Sequence, residues 1–153
     1  AHLQCLITHG HICNQVCCAL YCLAAKALLE GRNAREAIGE AVAGLREVYR
    51  GMPEYERELE WSIRPGTSWE GNGTGYVADC LRSAFMILER TSGYEEAVKE
   101  AVLLGNDTTA CVTGGLAGIL YGIQGIPKSW LLGLREREKA AGLLERLLFE
   151  KGM

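Results

Sequence analysis

The chain of 153 residues is 48% hydrophobic and 23% charged, the balance of one ordinary globular domain, which excludes a disordered or collagen-like polypeptide. A chain of this length buries about 70% of the surface its unfolded form exposes, so it needs neither disulfides nor a structural metal to fold. With Lys plus Arg at 16 and Asp plus Glu at 19, the formal charge is −3, and no broad electrostatic attraction draws it to nucleic acid.

Seven cysteines are present, and Cys13, Cys17, Cys18 and Cys22 crowd one short helical stretch where disulfide staples would serve no fold. This usage points to a reducing, cytoplasmic compartment. The uncharged run Thr108 to Pro127 holds five glycines, three threonines and Gln124, short of the apolar character that spans a bilayer. No membrane partner is therefore expected. The opening Ala-His-Leu-Gln-Cys-Leu-Ile lacks the basic and apolar regions of a signal peptide and has no initiator methionine, as expected of a chain that begins partway through a larger protein.

Apolar residues recur at helical spacing almost throughout, which predicts a single all-α domain over residues 1–153. Ile12 to Glu30 is the first strong helix, with Gly31 at its left-handed cap. Asn33 and Glu36 then form a capping box for a helix to about Tyr49 whose buried stripe is Ile38, Val42, Leu45 and Val48. A short charged helix is expected from Pro53 to about Glu60, and a long loop from Trp61 to Thr74. Gly75 or Tyr76 opens a helix to Arg90. Ser92 and Glu95 make a second capping box for Tyr94 to Leu104, which Gly105 breaks. Asp107 can cap the next helix, where Gly114, Gly118 and Gly122 share a face with Ala110 and imply close approach of a backbone or a ligand. Pro127 starts a short helix through Trp130, and Arg135 to Lys151 is amphipathic, with Leu143, Leu144, Leu147 and Leu148 on its apolar side.

Three segments carry candidate chemistry. Gly105-Asn-Asp107-Thr108-Thr109-Ala sets a carboxylate and two hydroxyls at a helix start, where oxygen ligands suit a hard cation such as Mg²⁺; Asp107 is equally a simple N-cap. Gly71-Asn-Gly73-Thr74-Gly75-Tyr76 is a glycine-rich turn whose amides can hold a pyrophosphate and whose tyrosine can stack on a base, or it is a plain surface loop. His9 and His11 precede the cysteine-bearing helix, where His9 is placed to bond a ligand hydroxyl or phosphate or to sit as a satisfied core histidine. No Cys-x-x-Cys pair accompanies them as a zinc site would require, and Cys13, Cys17 and Cys22 read as small buried hydrophobes.

Thr8-His9-Gly-His11, then Gly73-Thr-Gly-Tyr76-Val-Ala-Asp-Cys-Leu, then Gly105-Asn-Asp-Thr-Thr-Ala with Gly-Gly-Leu-Ala-Gly-Ile-Leu-Tyr-Gly-Ile-Gln-Gly-Ile-Pro-Lys-Ser-Trp130 resemble, in order and spacing, the C-terminal half of the ADP-ribosylglycohydrolases. The resemblance implies an all-α orthogonal bundle that binds ADP-ribose beside two Mg²⁺ ions and hydrolyses the glycosidic bond joining ribose to a protein side chain. Its partners would be ADP-ribose or an ADP-ribosylated protein, with a complementing N-terminal segment or self-association. By this likeness Asp107, Thr108 and Thr109 are metal-binding, while His9, Gly73, Thr74, Gly75 and Tyr76 contact the ligand; no catalytic residue is assigned. The family's metal turn, Gly-x-Asp-Thr-Asp-Thr, is here shorter by two residues and one carboxylate. The family's Thr-Asp-Asp motif and acidic catalytic residue have no counterpart in the chain. The alternative is a relative that binds ADP-ribose without catalysis, or serves structurally as crystallins do.

Overall fold

A computed structural model describes residues 1–66 and 68–150, without the side chains of Asn106, Leu148 and Glu150. Every regular element among these residues is helical, as the periodicity predicts. The elements are α1 (His2–Cys5), α2 (Ile12–Leu29), α3 (Ala34–Val48), α4 (Pro53–Arg57) running into a π-helical turn (Glu58–Ile63), α5 (Val77–Arg90), α6 (Tyr94–Tyr121), a 3₁₀ turn (Ile123–Gly125), α7 (Lys128–Gly133) and α8 (Arg137–Glu150).

Helix α2 is the hub, with α3, α5, α6 and the π turn against it. By length and composition alone it is long and apolar enough to cross a membrane, unlike the glycine-rich run from Thr108. Half of it is buried inside the protein, however, with Val16 and Leu20 fully enclosed, so its apolarity belongs to the core. Leu20→Ala would leave a cavity and cost about 3 kcal/mol, checked by chemical denaturation.

The Asn33 capping box forms as predicted: Asn33 Oδ1 accepts from the Glu36 amide at 3.0 Å, and Glu36 Oε2 accepts from the Asn33 amide at 3.1 Å. Along α3, Ile38, Val42 and Leu45 are buried, but Val48 is 60% exposed and Tyr49 takes the inner position. The stripe drifts because Tyr49 is held by a ring cluster with Tyr55 and His2, its hydroxyl 2.7 Å from His2 Nε2.

The loop expected from Trp61 begins only at Arg64. Leu59 and Ile63, one turn apart and fully buried, draw the π turn onto the core, and Arg46 clamps it through Glu60 at 2.7 and 2.9 Å. The second capping box also shifts: Gly93 is the N-cap, and Ser92 donates from its amide and hydroxyl to Glu96 rather than Glu95, at 2.9 and 3.2 Å.

α6 runs helical through Gly105 and Asp107, so Asp107 does not cap a new helix. The turn expected at Gly105 is nonetheless there, for α6 doubles back on itself. A Cβ on Gly114 would stand 3.5 Å from the Tyr94 hydroxyl and 3.6 Å from Val98, and one on Gly118 would stand 3.8 Å from the Tyr94 ring. In a straight helix Val98 and Gly114 would lie about 24 Å apart. Both facing pairs, Tyr94 with Gly118 and Val98 with Gly114, centre on residue 106, so the bend falls at Gly105–Asp107. The glycine stripe therefore receives the Tyr94 side chain from the other arm of the same element, not a backbone or a ligand.

At the C-terminal end, α8 covers most of the predicted amphipathic helix, but Leu143, Leu144, Leu147 and Phe149 are exposed, so its apolar side is not buried here. Lys151 and the Leu148 side chain lie outside the described residues.

Candidate functional site

The glycine-rich loop is fixed from four directions. Arg46 donates to the Pro65 carbonyl at 3.3 Å and Arg82 to the Glu70 carbonyl at 2.6 Å, while Trp69 meets Phe85 edge-on at 4.9 Å between centroids. The strongest anchor is Asp79, in the first turn of α5, a residue that the motif reading leaves without a role. Its carboxylate accepts from the Asn72 amide at 2.9 Å, and from the Thr74 amide and hydroxyl, both at 2.7 Å. One turn on, Ser83 Oγ accepts from the Gly73 amide at 3.0 Å and donates to the Asp79 carbonyl at 2.8 Å.

Partial burial opposes the charge on Asp79, but the hydrogen bonds from Asn72 and Thr74 outweigh it and hold the carboxyl below its ordinary value of 3.8. A depressed carboxyl stabilises the folded loop fully above that ordinary value, and this stabilisation is lost as pH falls through the lower, folded-state value. Asp79→Asn is therefore expected to cost about 1–2 kcal/mol near neutrality, the group being partly exposed. Thermal midpoints of the wild type and variant should converge as the pH drops below the ordinary carboxylate range. An undiminished gap in acid would contradict this assignment.

The loop then meets the bend of α6 backbone to backbone. Gly73 has φ +69°, and a Cβ there would lie 2.5 Å from Gly105 Cα; a Cβ on Gly105 would lie 2.6 Å from Gly73 Cα and O. Gly105 is thus a contact glycine. The loop and the bend, far apart in sequence, are one structural unit.

Beside this unit lies a cavity of about 940 Å³, within the range of small-molecule sites. His9, Gly75, Tyr76 and Thr108 line it, so all three sequence blocks reach one space. Tyr76 is the N-cap residue of α5 and is 57% exposed, leaving its ring free to receive a ligand. His9 is exposed, with Nδ1 3.0 Å from Thr8 Oγ1. His11 turns to structure: its Nδ1 accepts from the Cys13 amide at 3.1 Å and caps α2.

Gly73 and Thr74 are not in the lining; they hold the loop that presents Gly75 and Tyr76. Asp107 is exposed, and its carboxylate accepts from the Thr108 hydroxyl at 3.4 Å. Both are hard oxygen donors of the kind Mg²⁺ takes, but only Thr108 is among the residues that line the cavity. Thr109 faces the other way, fully buried; its hydroxyl makes no hydrogen bond of ordinary geometry, although the Cys80 thiol is a neighbour. Successive helical residues diverge by about 100°, so the three predicted metal residues do not converge. Among the described residues no group of three or more His, Cys, Asp and Glu is arranged to hold a metal.

Cysteines contribute much of the remaining wall, beside apolar residues such as Ile7, Val77, Leu81 and Val112. Cys5, Cys13, Cys17, Cys18, Cys22 and Cys80 all line the cavity. Cys13 and Cys17 are buried as expected, but Cys22 is exposed, because helical spacing turns it from the core toward the cavity rim. The seven thiols are all free.

An all-helical fold thus frames, between a glycine-rich loop and a helix bend, a cavity with room for a small molecule. The sequence matches the ADP-ribosylglycohydrolase family over residues 1–152, and the chain belongs to that family. It is 29% identical over 132 residues to the ADP-ribosylarginine hydrolase Tri1 of Pseudomonas putida (strain GB-1), covering 84% of this chain and 33% of the relative. Tri1 of Serratia proteamaculans (strain 568) is 38% identical over 82 residues, 52% of this chain and 22% of the relative. The ADP-ribosylhydrolase ARH3 of Danio rerio is 37% identical over 73 residues, 46% of this chain and 20% of the relative. The chain thus spans about a third or less of these curated relatives. No solved structure matches it significantly.

Proposed function

We propose that the chain forms the ADP-ribose-binding part of a Mg²⁺-dependent enzyme that hydrolyses the glycosidic bond between ADP-ribose and a protein side chain in a reducing, cytoplasmic compartment. The observation that carries this reading is the meeting of His9, Gly75, Tyr76 and Thr108 in one nucleotide-sized cavity. The Tyr76 ring supplies a stacking face, the fixed loop offers backbone amides at Gly75 and Tyr76, and His9 supplies a ring nitrogen to a hydroxyl or phosphate. With Asp107 and Thr108 among its ligands, bound Mg²⁺ supplies a Lewis acid for the ribose hydroxyls.

Glycosidic hydrolysis ordinarily needs paired carboxylates, and among the described residues no Asp or Glu lines the cavity. On this proposal the chain binds and orients the sugar while the carboxylates that activate water come from a complementing N-terminal segment outside it. The same observation favours a second reading, a binding protein without catalysis.

The relatives' names direct the assay to ADP-ribosyl-arginine. Incubated with an arginine-ADP-ribosylated protein and Mg²⁺, the chain joined to its upstream sequence is expected to release ADP-ribose, and chelation is expected to stop the release. Absence of release, with ADP-ribose still bound, would establish the non-catalytic reading.

A further inference from the structure

The turn from Leu6 to His11 is exposed throughout, yet it carries Ile7, Thr8, His9 and His11 to the cavity wall. Two side chains hold it from beneath: the Cys5 thiol donates to the His9 carbonyl at 3.2 Å, and Gln15 Nε2 donates to the Gly10 carbonyl at 2.9 Å. Gln15 is only 6% exposed and does not itself line the cavity. A carbonyl can only accept, so the carboxamide turns its NH₂ to Gly10 and its oxygen the other way. There Oε1 accepts from the Tyr55 hydroxyl at 3.1 Å. Tyr55 is braced in turn by rings, with centroids 5.1 Å from Tyr49 and 5.3 Å from His2. A buried amide is costly unless its ends are paired, and an apolar side chain of the same shape would fill this place without that requirement. Such a side chain would leave the Gly10 carbonyl untethered. A Cβ built on Gly10 meets nothing closer than 4.0 Å, so packing does not hold the turn at this point.

We propose that Gln15 is a positioning residue of the ligand site: through the Gly10 carbonyl it fixes the turn between His9 and His11, so that the His9 ring stands ready for a ligand hydroxyl or phosphate. The inference rests on the reading of the cavity as an ADP-ribose site and adds to it a residue one layer behind the wall. Glycine has the widest backbone freedom of any residue, and Gly10 separates the two histidines, so an untethered turn would spread His9 over several orientations. Holding the turn beforehand spares the ligand the entropy of ordering it. His11, as the cap of α2, fixes one end of the turn, and Cys5 fixes the other. Gln15 holds the middle, with Tyr55 and its ring cluster as the rigid support.

The test pairs the near-isosteric Gln15→Met, which fills the same space without a donor, with Tyr55→Phe, which keeps the ring and removes the hydroxyl. One readout needs no ligand: hydrogen exchange at the Thr8 and His9 amides, both bonded to the Cys5 carbonyl in the turn. The other is calorimetric titration with ADP-ribose, in which the stoichiometry counts folded molecules and Kd reports the site. In Gln15→Met the two amides are expected to exchange about tenfold faster than in the wild type, and Kd to rise about tenfold at unchanged stoichiometry, the worth of one hydrogen bond. Tyr55→Phe is expected to raise Kd about threefold, and the double variant to bind no more weakly than Gln15→Met alone, because the hydroxyl acts through the carboxamide. Unchanged exchange in Gln15→Met would overturn the proposal. So would faster exchange at an unchanged Kd, or effects of the two substitutions that simply add as for independent packing contacts. A wild type that binds no ADP-ribose would contradict the reading of the cavity and the proposal with it, whereas failure of the Gln15 tether alone leaves wild-type binding intact.

Discussion

Gly73→Ala is expected to destabilise the protein by about 2–4 kcal/mol and to abolish the site with it. Two independent costs meet at this position. The backbone is left-handed, at φ +69°, where a side chain is strained whatever space surrounds it. The added Cβ would also lie 2.5 Å from Gly105 Cα, and the obstacle is backbone that cannot rotate aside. Relief requires the loop to leave the bend of α6, which breaks the Gly73 amide bond to Ser83 and carries Gly75 and Tyr76 out of the cavity wall. Chemical denaturation measures the first effect, and ligand titration of the remaining folded protein measures the second. Gly31→Ala is the comparison: it has a left-handed backbone but nothing within 4 Å, so only the strain, about 1 kcal/mol, should appear.

Tyr76→Ala is expected to weaken ADP-ribose binding about tenfold to a hundredfold while leaving the fold intact. The residue is 57% exposed and precedes α5, so truncation removes little core packing. The loss is that of a stacking face, for which alanine substitution ordinarily costs about 1–3 kcal/mol per base. Tyr76→Phe separates ring from hydroxyl: it should retain most of the affinity for ADP-ribose and lose the hydrogen bond to Cys13. Calorimetric titration of both variants decides the matter. Equal loss in both would assign the binding to the hydroxyl, and no loss in either would remove Tyr76 from the site.

What could be read from sequence is local. The Asn33–Glu36 capping box needs only four consecutive residues, and the long apolar period of α2 needs only its own spacing. Sequence places the turn at Gly105 but not its contact, because a glycine that breaks a helix and one that admits another backbone look alike until Gly73 is beside it. Asp79 does not stand out in sequence, because an acid in a first helical turn ordinarily complements the dipole, and its loop partners are apparent only in three dimensions. The order of Asp107, Thr108 and Thr109 suggested three converging ligands, but the helix they occupy spreads them between solvent and core. Val48 gave way to Tyr49 because the His2 and Tyr55 rings, from separate elements, hold the latter inside. For Gly105 and Tyr49 the decisive contact joins residues distant in sequence, Gly73 in the one case and His2 in the other.

The central claim is that this chain carries an ADP-ribose site to which Asp107 and Thr108 bring Mg²⁺. Calorimetric titration of the chain with ADP-ribose, once with Mg²⁺ and once with chelator, tests it most directly. Saturable binding that strengthens with Mg²⁺, and loses that strengthening in Asp107→Ala, is the expected result. No heat of binding in either condition would contradict the claim.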